Sequence, residues 1–406
     1  MIEAKSEQQA LGEIKTASGT GAVSAGVLHT DILILGAGPV GMTLHLALAA
    51  GGQKSLLLDR RPQAALQADP RALALSFGAR QLLEQINSWP ARAATPIETI
   101  HISQKGGFGR TLIDRNDYDL PALGYVVRYR DLAAALAANL GPDSLWAEVE
   151  ILDTQENPDG VRVSLRHGGQ VRTIQTRLLV HAEGTPGDDP AVKVSDYAQH
   201  AVICELTPLA ANKAGHGKRA WERFTPDGPL ALLPLGDEFS IVFTLPPAKA
   251  DAVMAMDDAA FIAALEQQFG GRMRFTRPCK RSRFPLALRM RQTLVKDHEV
   301  WIGNAAQTLH PVSGQGFNLG IRDAWQLAEM LLKNGVDRET LVDYAALRQL
   351  DRRGGALFTD AVVRLFSNDF LPLKWARGAG LLALDMLPSA RHFVAGRMIW
   401  GGRAWP

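Results

Sequence analysis

The stretch that most constrains this chain lies near its start. Asp31-Ile32-Leu33-Ile34-Leu35 is the apolar run of a buried strand, passes directly into Gly36-Ala37-Gly38-Pro39-Val40-Gly41, and continues as the helix-forming residues Met42 to Ala50. The next apolar run, Ser55-Leu56-Leu57-Leu58, ends in Asp59-Arg60-Arg61-Pro62 and reads as the second parallel strand of a βαβ unit. A lone Gly-x-Gly-x-x-Gly says little in a chain with 38 glycines. Here it has a strand before it, a helix after it, and the acid Asp59 about 18 residues beyond its last glycine, which is the context of a dinucleotide site. Gly36 permits the tight turn, Gly38 lets the backbone approach a pyrophosphate, and Gly41 lets helix and strand pack closely. The helix N-terminus offers free N–H groups and positive dipole. Asp59 is expected to accept from a ribose diol, with Pro39 and Arg60 as flanking contacts.

The rest of the composition narrows the class. The 406 residues are 46% hydrophobic and 21% charged, which suits a globular protein of about two domains and excludes a disordered chain. Lysine and arginine number 44 against 42 acids, a formal charge of +2, too small for the single-signed field that nucleic acid binding needs. Cys204 and Cys279 lack the spacing of a metal site or a disulfide framework, so a reducing, cytoplasmic setting without a bound metal is expected. Residues 1–28 are rich in Ala, Gly, Ser, Thr and Gln and read as a flexible leader without a signal peptide core. Apolar stretches elsewhere fall short of a bilayer span, leaving only peripheral contact with the inner face of the membrane.

Further along, Leu73 to Ile86 has a helical pattern, Ile97 to Ile113 and Gly124 to Arg128 look like strands, and Asp131 to Leu140 reads as a helix. Glu150 to Val180 is a β meander with turns at Asn157-Pro158-Asp159-Gly160 and His167-Gly168-Gly169. Ala201 to Pro246 suits a separate antiparallel sheet, and Asp343 to Trp400 is mainly helical. Arg71 and Arg130 precede helical stretches where a cation could face a diphosphate or form a surface ion pair. The most informative late segment is Gly303 to Gly320, entered from the short strand Val300-Trp301-Ile302 and leading to a helix with Arg322-Asp323. It repeats the anion-binding logic, now with Gly314, Gly316 and Gly320 leaving room for a flat ring against backbone.

These motifs resemble those of the class A flavoprotein monooxygenases, the para-hydroxybenzoate hydroxylase family, over almost all of the chain after Thr30. The resemblance assigns Gly36, Gly38, Gly41 and Asp59 to the ADP half of FAD and Gly303-Asn304-Ala305-Ala306 to the ribityl chain. It places the loop with His310, Pro311, Gly314, Gly316, Phe317 and Asn318 by the isoalloxazine ring. The middle Ala-Asp-Gly motif reads His181-Ala182-Glu183-Gly184, so Glu183 departs from it. Asp69 to Ser76, Leu123 to Val127, Glu222 to Thr225, Gly228 to Pro234, Gly303 to Gly320 and Leu365 to Phe370 resemble the ubiquinone-biosynthesis branch, and most of all its 2-octaprenyl-6-methoxyphenol hydroxylases.

The implied fold is α/β: a Rossmann-like, glutathione-reductase-like FAD domain (29–100, 124–196 and 285–340) interleaved with an antiparallel-sheet substrate domain (101–123 and 197–284), then a helical region over 341–406. The implied activity is an FAD-dependent monooxygenase that uses NAD(P)H transiently and passes an oxygen atom of O2 through a C4a-hydroperoxyflavin to a polyprenylated phenol. Phe224, Leu232, Leu233, Pro234, Phe243 and Val312 are candidates for its pocket, although those from the sheet read more readily as plain core. No side chain is singled out as catalytic; His310 and Pro311 are expected near the ring. The basic run from Arg272 to Arg283 reads as a solvated face, or one that draws phosphates or an anionic membrane. The stretch from Phe370 to Leu387 could meet a membrane, other ubiquinone-biosynthesis proteins or the core. Two rivals remain open at this point: a flavin-dependent halogenase, which the chain's lack of a Trp-x-Trp-x-Ile-Pro stretch disfavours, and a non-catalytic scaffold on the same fold.

Overall fold

The computed structural model describes residues 27–209, 216–270, 273–278, 280–368 and 370–400. The expected leader up to residue 26, Cys279, and Arg272 of the basic run lie outside these, as does Asp369. The first strand, β1 (Leu28–Leu35), starts three residues ahead of the expected Asp31, and α1 (Pro39–Ala50) and β2 (Ser55–Leu58) complete the βαβ unit.

The segment expected to be one helix from Leu73 splits into β3 (Ala72–Ser76) and α2 (Phe77–Gln85). Its short Ala-Leu alternation fits either periodicity, and pairing with a later strand decides for β. Ser76 then caps the helix, its hydroxyl accepting from Ala79 N at 3.1 Å. Strands β4 (Thr95–Ile97), β5 (Thr99–Gln104), β6 (Arg110–Asp114) and β7 (Gly124–Arg128) lead to α3 (Tyr129–Ala137). After β8 (Leu145–Trp146), the meander is β9 (Glu150–Asn157), β10 (Gly160–His167) and β11 (Gln170–His181).

The long β12 (Val192–Pro208) precedes β13 (Arg219–Thr225), β14 (Gly228–Leu235) and β15 (Glu238–Leu245), then α4 (Pro247–Ala255) and α5 (Asp258–Gln268). Next come β16 (Phe275–Pro278), β17 (Ser282–Arg291), β18 (Glu299–Trp301) and β19 (Gln307–Thr308). The chain closes with α6 (Gln315–Asn334), α7 (Arg338–Phe366), α8 (Leu371–Met386) and α9 (Pro388–Trp400).

These elements make three sheets. The seven-stranded one runs β8-β2-β1-β11-β10-β9, with β18 against β11, so the C-terminal ends of β1, β11 and β18 stand side by side. One face packs on α1, α3 and α6 through Ile32, Ile34, Val180 and Ile321; the other meets the meander through Leu33, Leu35, Val163 and Leu179. The nine-stranded sheet runs β19-β17-β12-β15-β14-β13-β5-β6, with β16 on β12, and α4 and α5 cover one face. Residues 285–291, expected in the nucleotide domain, lie in β17 and hydrogen-bond into this second sheet. The third sheet, β3-β7-β4, joins the two. Among the described residues no helix is long and apolar enough to cross a membrane.

Candidate functional site: a dinucleotide cleft and an apolar cluster

The glycine turn has the geometry its sequence demands. Gly36 holds φ at 100°, and a Cβ there would fall 2.4 Å from Ala182 O. On Gly41 a Cβ would fall 2.0 Å from Gly36 O. Gly38 differs: the only atom near its hypothetical Cβ is Tyr129 Oη, at 3.5 Å, so its missing side chain leaves space at the N-terminus of α1, where no acidic side chain competes for an anion. Asp59 is buried, its Oδ2 accepting from Ala37 N at 2.8 Å and its carboxylate gripped by Arg61 at 3.1 Å. Burial works against its charge, but the hydrogen bonds from Arg61 and Ala37 hold its pKa below the usual carboxylate value. A ribose diol at this carboxylate has to share it with Arg61, a partner the sequence reading passed over although it stands two residues away.

A cleft of about 920 Å³ opens here, lined by Gly36, Asp59, Arg60, His181, Glu183 and Trp301 among others. Arg71 pairs with Asp69 at 2.5 Å and stacks over the Tyr129 ring at 5.3 Å, so it stands one ring away from the turn. Arg130 is exposed and meets Asp131 at 3.7 Å, in keeping with the surface ion pair allowed for it. At the end of β11, His181 donates to Glu183 at 3.2 Å and to Glu299 at 2.7 Å, and lies flat on Trp301 with centroids 4.5 Å apart. Burial opposes its charge, yet the two carboxylates outweigh that and push its pKa up to about 9. Glu183, the departure from the middle motif, thus has a local reason: its longer side chain reaches back to His181.

Beyond β18 the chain enters the second glycine segment. Gly303 has φ 59°, its N–H donates to Asp323 at 3.0 Å, and Val40 lies 3.1 Å from where a Cβ would stand. Asn304 approaches Thr185 at 3.5 Å across the cleft mouth. His310 is 1% exposed; its Nδ1 accepts from Val312 N at 3.1 Å, while Nε2 has no hydrogen-bond partner among the described residues. Burial lowers its pKa to about 4, so the ring is neutral. Pro311 opens a 3-10 turn that ends at Gly314, left-handed at φ 61°.

Helix α6 starts five residues before the expected Gly320, so Gly316, Phe317 and Asn318 are helical rather than loop. Phe317 packs against the nucleotide-domain core. The Asn318 amide is fully used: Oδ1 accepts from Ser76 N at 2.9 Å and Nδ2 donates to Ala74 O at 2.9 Å and Gly314 O at 2.8 Å. Asn318 thus clips the loop against β3.

The pocket candidates divide by strand parity. Phe224 and Val312 meet in one cluster with Val363 and Phe366, the Phe224 and Phe366 rings stacked 3.9 Å apart. Leu233 faces the same side, with Ile97, Val126 and Ala220. Leu232 and Phe243 instead belong to the core under α4 and α5, and Pro234 shares their face by alternation. These three are core, not pocket.

The orphaned imidazole nitrogen, the open space at Gly38 and the free N-terminus of α1 are what an elongated flavin dinucleotide needs. The FAD binding domain family matches residues 29–349. The chain belongs to that family. It is 32% identical over 386 residues to ubiquinone hydroxylase UbiL of Rhodospirillum rubrum, covering 90% of this chain and 88% of the relative. The 3-demethoxyubiquinol 3-hydroxylase of Escherichia coli is 29% identical, with 88% of this chain and 95% of that one covered. Among solved structures, p-nitrophenol 4-monooxygenase PnpA of Pseudomonas putida superposes with a TM-score of 0.76 at 14% identity, over 93% of this chain and 100% of that one. The flavoprotein resemblance read from the motifs, and its ubiquinone branch, are borne out, as is FAD as the cofactor.

Proposed function

We propose that this chain is an FAD-dependent aromatic hydroxylase that inserts one oxygen atom of O2 into a polyprenylated phenol on the route to ubiquinone, with NAD(P)H as reductant. The observation that carries the reading is the succession just described: the dinucleotide cleft is lined by Gly36, Asp59, Trp301 and Ala305, and the loop that follows Ala305 packs its Val312 into one apolar cluster with Phe224, Val363 and Phe366. A cofactor lying along that cleft has its reactive end beside an apolar, aromatic wall. The names of the relatives supply the substrate class.

Bound FAD supplies the redox chemistry with O2. The residues do the rest. Gly38 and the first turn of α1 take the pyrophosphate, and Asp59 takes the ribose. His310, neutral and buried, orients the loop by its bond to Val312 N and offers Nε2 to the ring. Phe224 and Phe366 wall off water, which protects a reactive reduced cofactor from wasteful breakdown. A greasy tail needs an approach from lipid or from partner proteins, and the exposed apolar residues of α8 and α9 supply a face for it.

Against the scaffold alternative, the departing residue Glu183 is engaged by His181, and the space at Gly38 is approached only by Tyr129 Oη among the described residues. The test is direct. Purified protein should show flavin absorbance or take up FAD, and should convert a polyprenylphenol to a product carrying one atom from isotope-labelled O2 while oxidising NAD(P)H. A protein that neither holds FAD nor forms that product overturns the reading.

A further inference from the structure

Glu222 stands on β13 in the middle of the substrate sheet, and among the described residues neither the cofactor cleft nor any ion pair uses it. Its neighbours two residues along, Ala220 and Phe224, share its face by alternation. Phe224 belongs to the cluster with Val312 of the flavin loop, and Ala220 to the cluster with Ile97 and Val126. Across the strands it is registered with Ile102 on β5 and Ala231 on β14. The carboxyl therefore sits between two apolar clusters on the side of the sheet that meets the flavin loop. The residue as a whole is part-exposed, but Oε1 is closed to solvent and has no hydrogen-bond partner among the described residues.

The charged groups nearby leave it alone. On β13, Arg223 turns to the opposite face, donating to Gln268 O and to Ser103 Oγ at 3.2 Å. On β5, His101 packs on Trp221 on that same far face. The next strand along, β15, presents Val242 beside Ala231. On the near side, Tyr197 stands edge-on to His310, and α7 brings Asp360 and Arg364 beside Tyr197. None of these moves the Glu222 carboxyl; burial alone pushes its pKa up to about 8.

A buried polar group without a partner is costly to keep. Glu222 stands on the same face of β13 as Phe224, two residues along, so a phenol ring held against that face has this carboxyl beside its hydroxyl. We infer that Glu222 binds the phenolic hydroxyl of the substrate and takes its proton, presenting the ring as the more electron-rich phenolate. The phenol O–H bond breaks with its electron pair left on oxygen, a new O–H bond forms on the Glu222 carboxylate, and solvent recovers that proton when product leaves. An acid constant near the working pH is what a general base requires. This inference rests on the hydroxylase reading and adds to it a residue that touches the substrate.

The experiment compares FAD-loaded wild type with Glu222→Gln and Glu222→Asp, using a 2-prenylphenol as probe and following product, NAD(P)H and hydrogen peroxide. In wild type, hydroxylation should rise with pH through about 8 and level off. Glu222→Gln should keep FAD, lose roughly 10²-fold or more of the hydroxylation rate, lose that pH limb and divert reduced cofactor to peroxide. Glu222→Asp should recover part of the rate and the limb. Wild-type hydroxylation with an unchanged pH limb in Glu222→Gln overturns the assignment. Should both variants misfold, ultraviolet difference spectra of the probe bound to wild type decide: phenolate formed below the pH at which the free phenol ionises supports the assignment, and bound phenol that stays protonated refutes it. A wild type that binds the probe as phenolate yet never hydroxylates it refutes the hydroxylase reading instead, so the two failures are distinct.

Discussion

Asp323 and Arg348 face each other at 2.7 Å, each only 1% exposed, and the same aspartate accepts the N–H of Gly303 at the head of the flavin loop. Gln307 donates to Asp323 at 2.6 Å and in turn accepts from Arg352, which also holds Ala306 O. Helices α6 and α7 thus grip the loop from beneath. Removing one member strands a buried charge, so Arg348→Ala should destabilise the protein by about 3 to 5 kcal/mol. Urea unfolding checks the magnitude, and FAD titration of the folded fraction should show weakened binding, because Asp323, the anchor of Gly303, loses the guanidinium that holds it in place.

Gly38→Ala separates cofactor binding from folding. The added methyl meets only Tyr129 Oη at 3.5 Å, ordinary contact, so the apoprotein should unfold within about 0.5 kcal/mol of wild type. FAD affinity should fall at least tenfold or so, since the methyl fills the space the pyrophosphate needs. Gly41→Ala, with its methyl 2.0 Å from Gly36 O, should instead lose the fold. Circular dichroism beside flavin fluorescence distinguishes the two.

The parts legible in the sequence were those set by near neighbours. Gly36 to Gly41, between an apolar run and a helix, needs no distant partner to be understood, and Gly303 to Gly320 repeats it. What escaped depends on register or on long-range pairing. Leu230 to Pro234 is apolar throughout, so nothing local says that Leu233 faces the side of Phe224 while Leu232 does not; pairing of Leu232 with Ile241 decides it. Arg348 and Asp351 look like a solvated helical face, and their burial follows only from Asp323, 25 residues before Arg348, and from Arg322. Glu183 stands in the sequence only as a departure from the middle motif, and its pairing with His181, two residues back, shows only once β11 and β18 bring His181 beside Glu299.

The His181 cluster predicts an alkaline loss of stability. Its folded pKa of about 9 lies above the usual histidine value of 6.5, so the stabilisation is complete below about 6.5 and disappears as pH rises through about 9. The full span is worth up to about 3 kcal/mol. Glu183 is half exposed, so its own share is smaller, about 1 kcal/mol. Glu183→Gln should therefore be less stable than wild type by that amount at about pH 6 and equal to it at about pH 10. Paired urea midpoints at the two pH values test this, and a constant difference would refute it.

The C-terminal helices carry an apolar face that water tolerates poorly. Phe370, Leu371, Trp375, Met386, Leu387 and Phe393 are each more than half exposed, distributed over α8, α9 and the single residue that precedes each helix. Each such side chain gains about 1.5 to 3 kcal/mol on full transfer from water, and several dipping partway into a bilayer surface suffice for reversible attachment. The protein should co-sediment with anionic vesicles, with Trp375 fluorescence shifting to the blue as the ring leaves water. Leu371→Glu together with Trp375→Glu should cut partitioning by roughly tenfold or more, each charge working against insertion, while FAD content stays as in wild type. Binding that survives both substitutions but vanishes in salt would assign attachment to charge alone and remove this face from the route by which a prenylated substrate arrives.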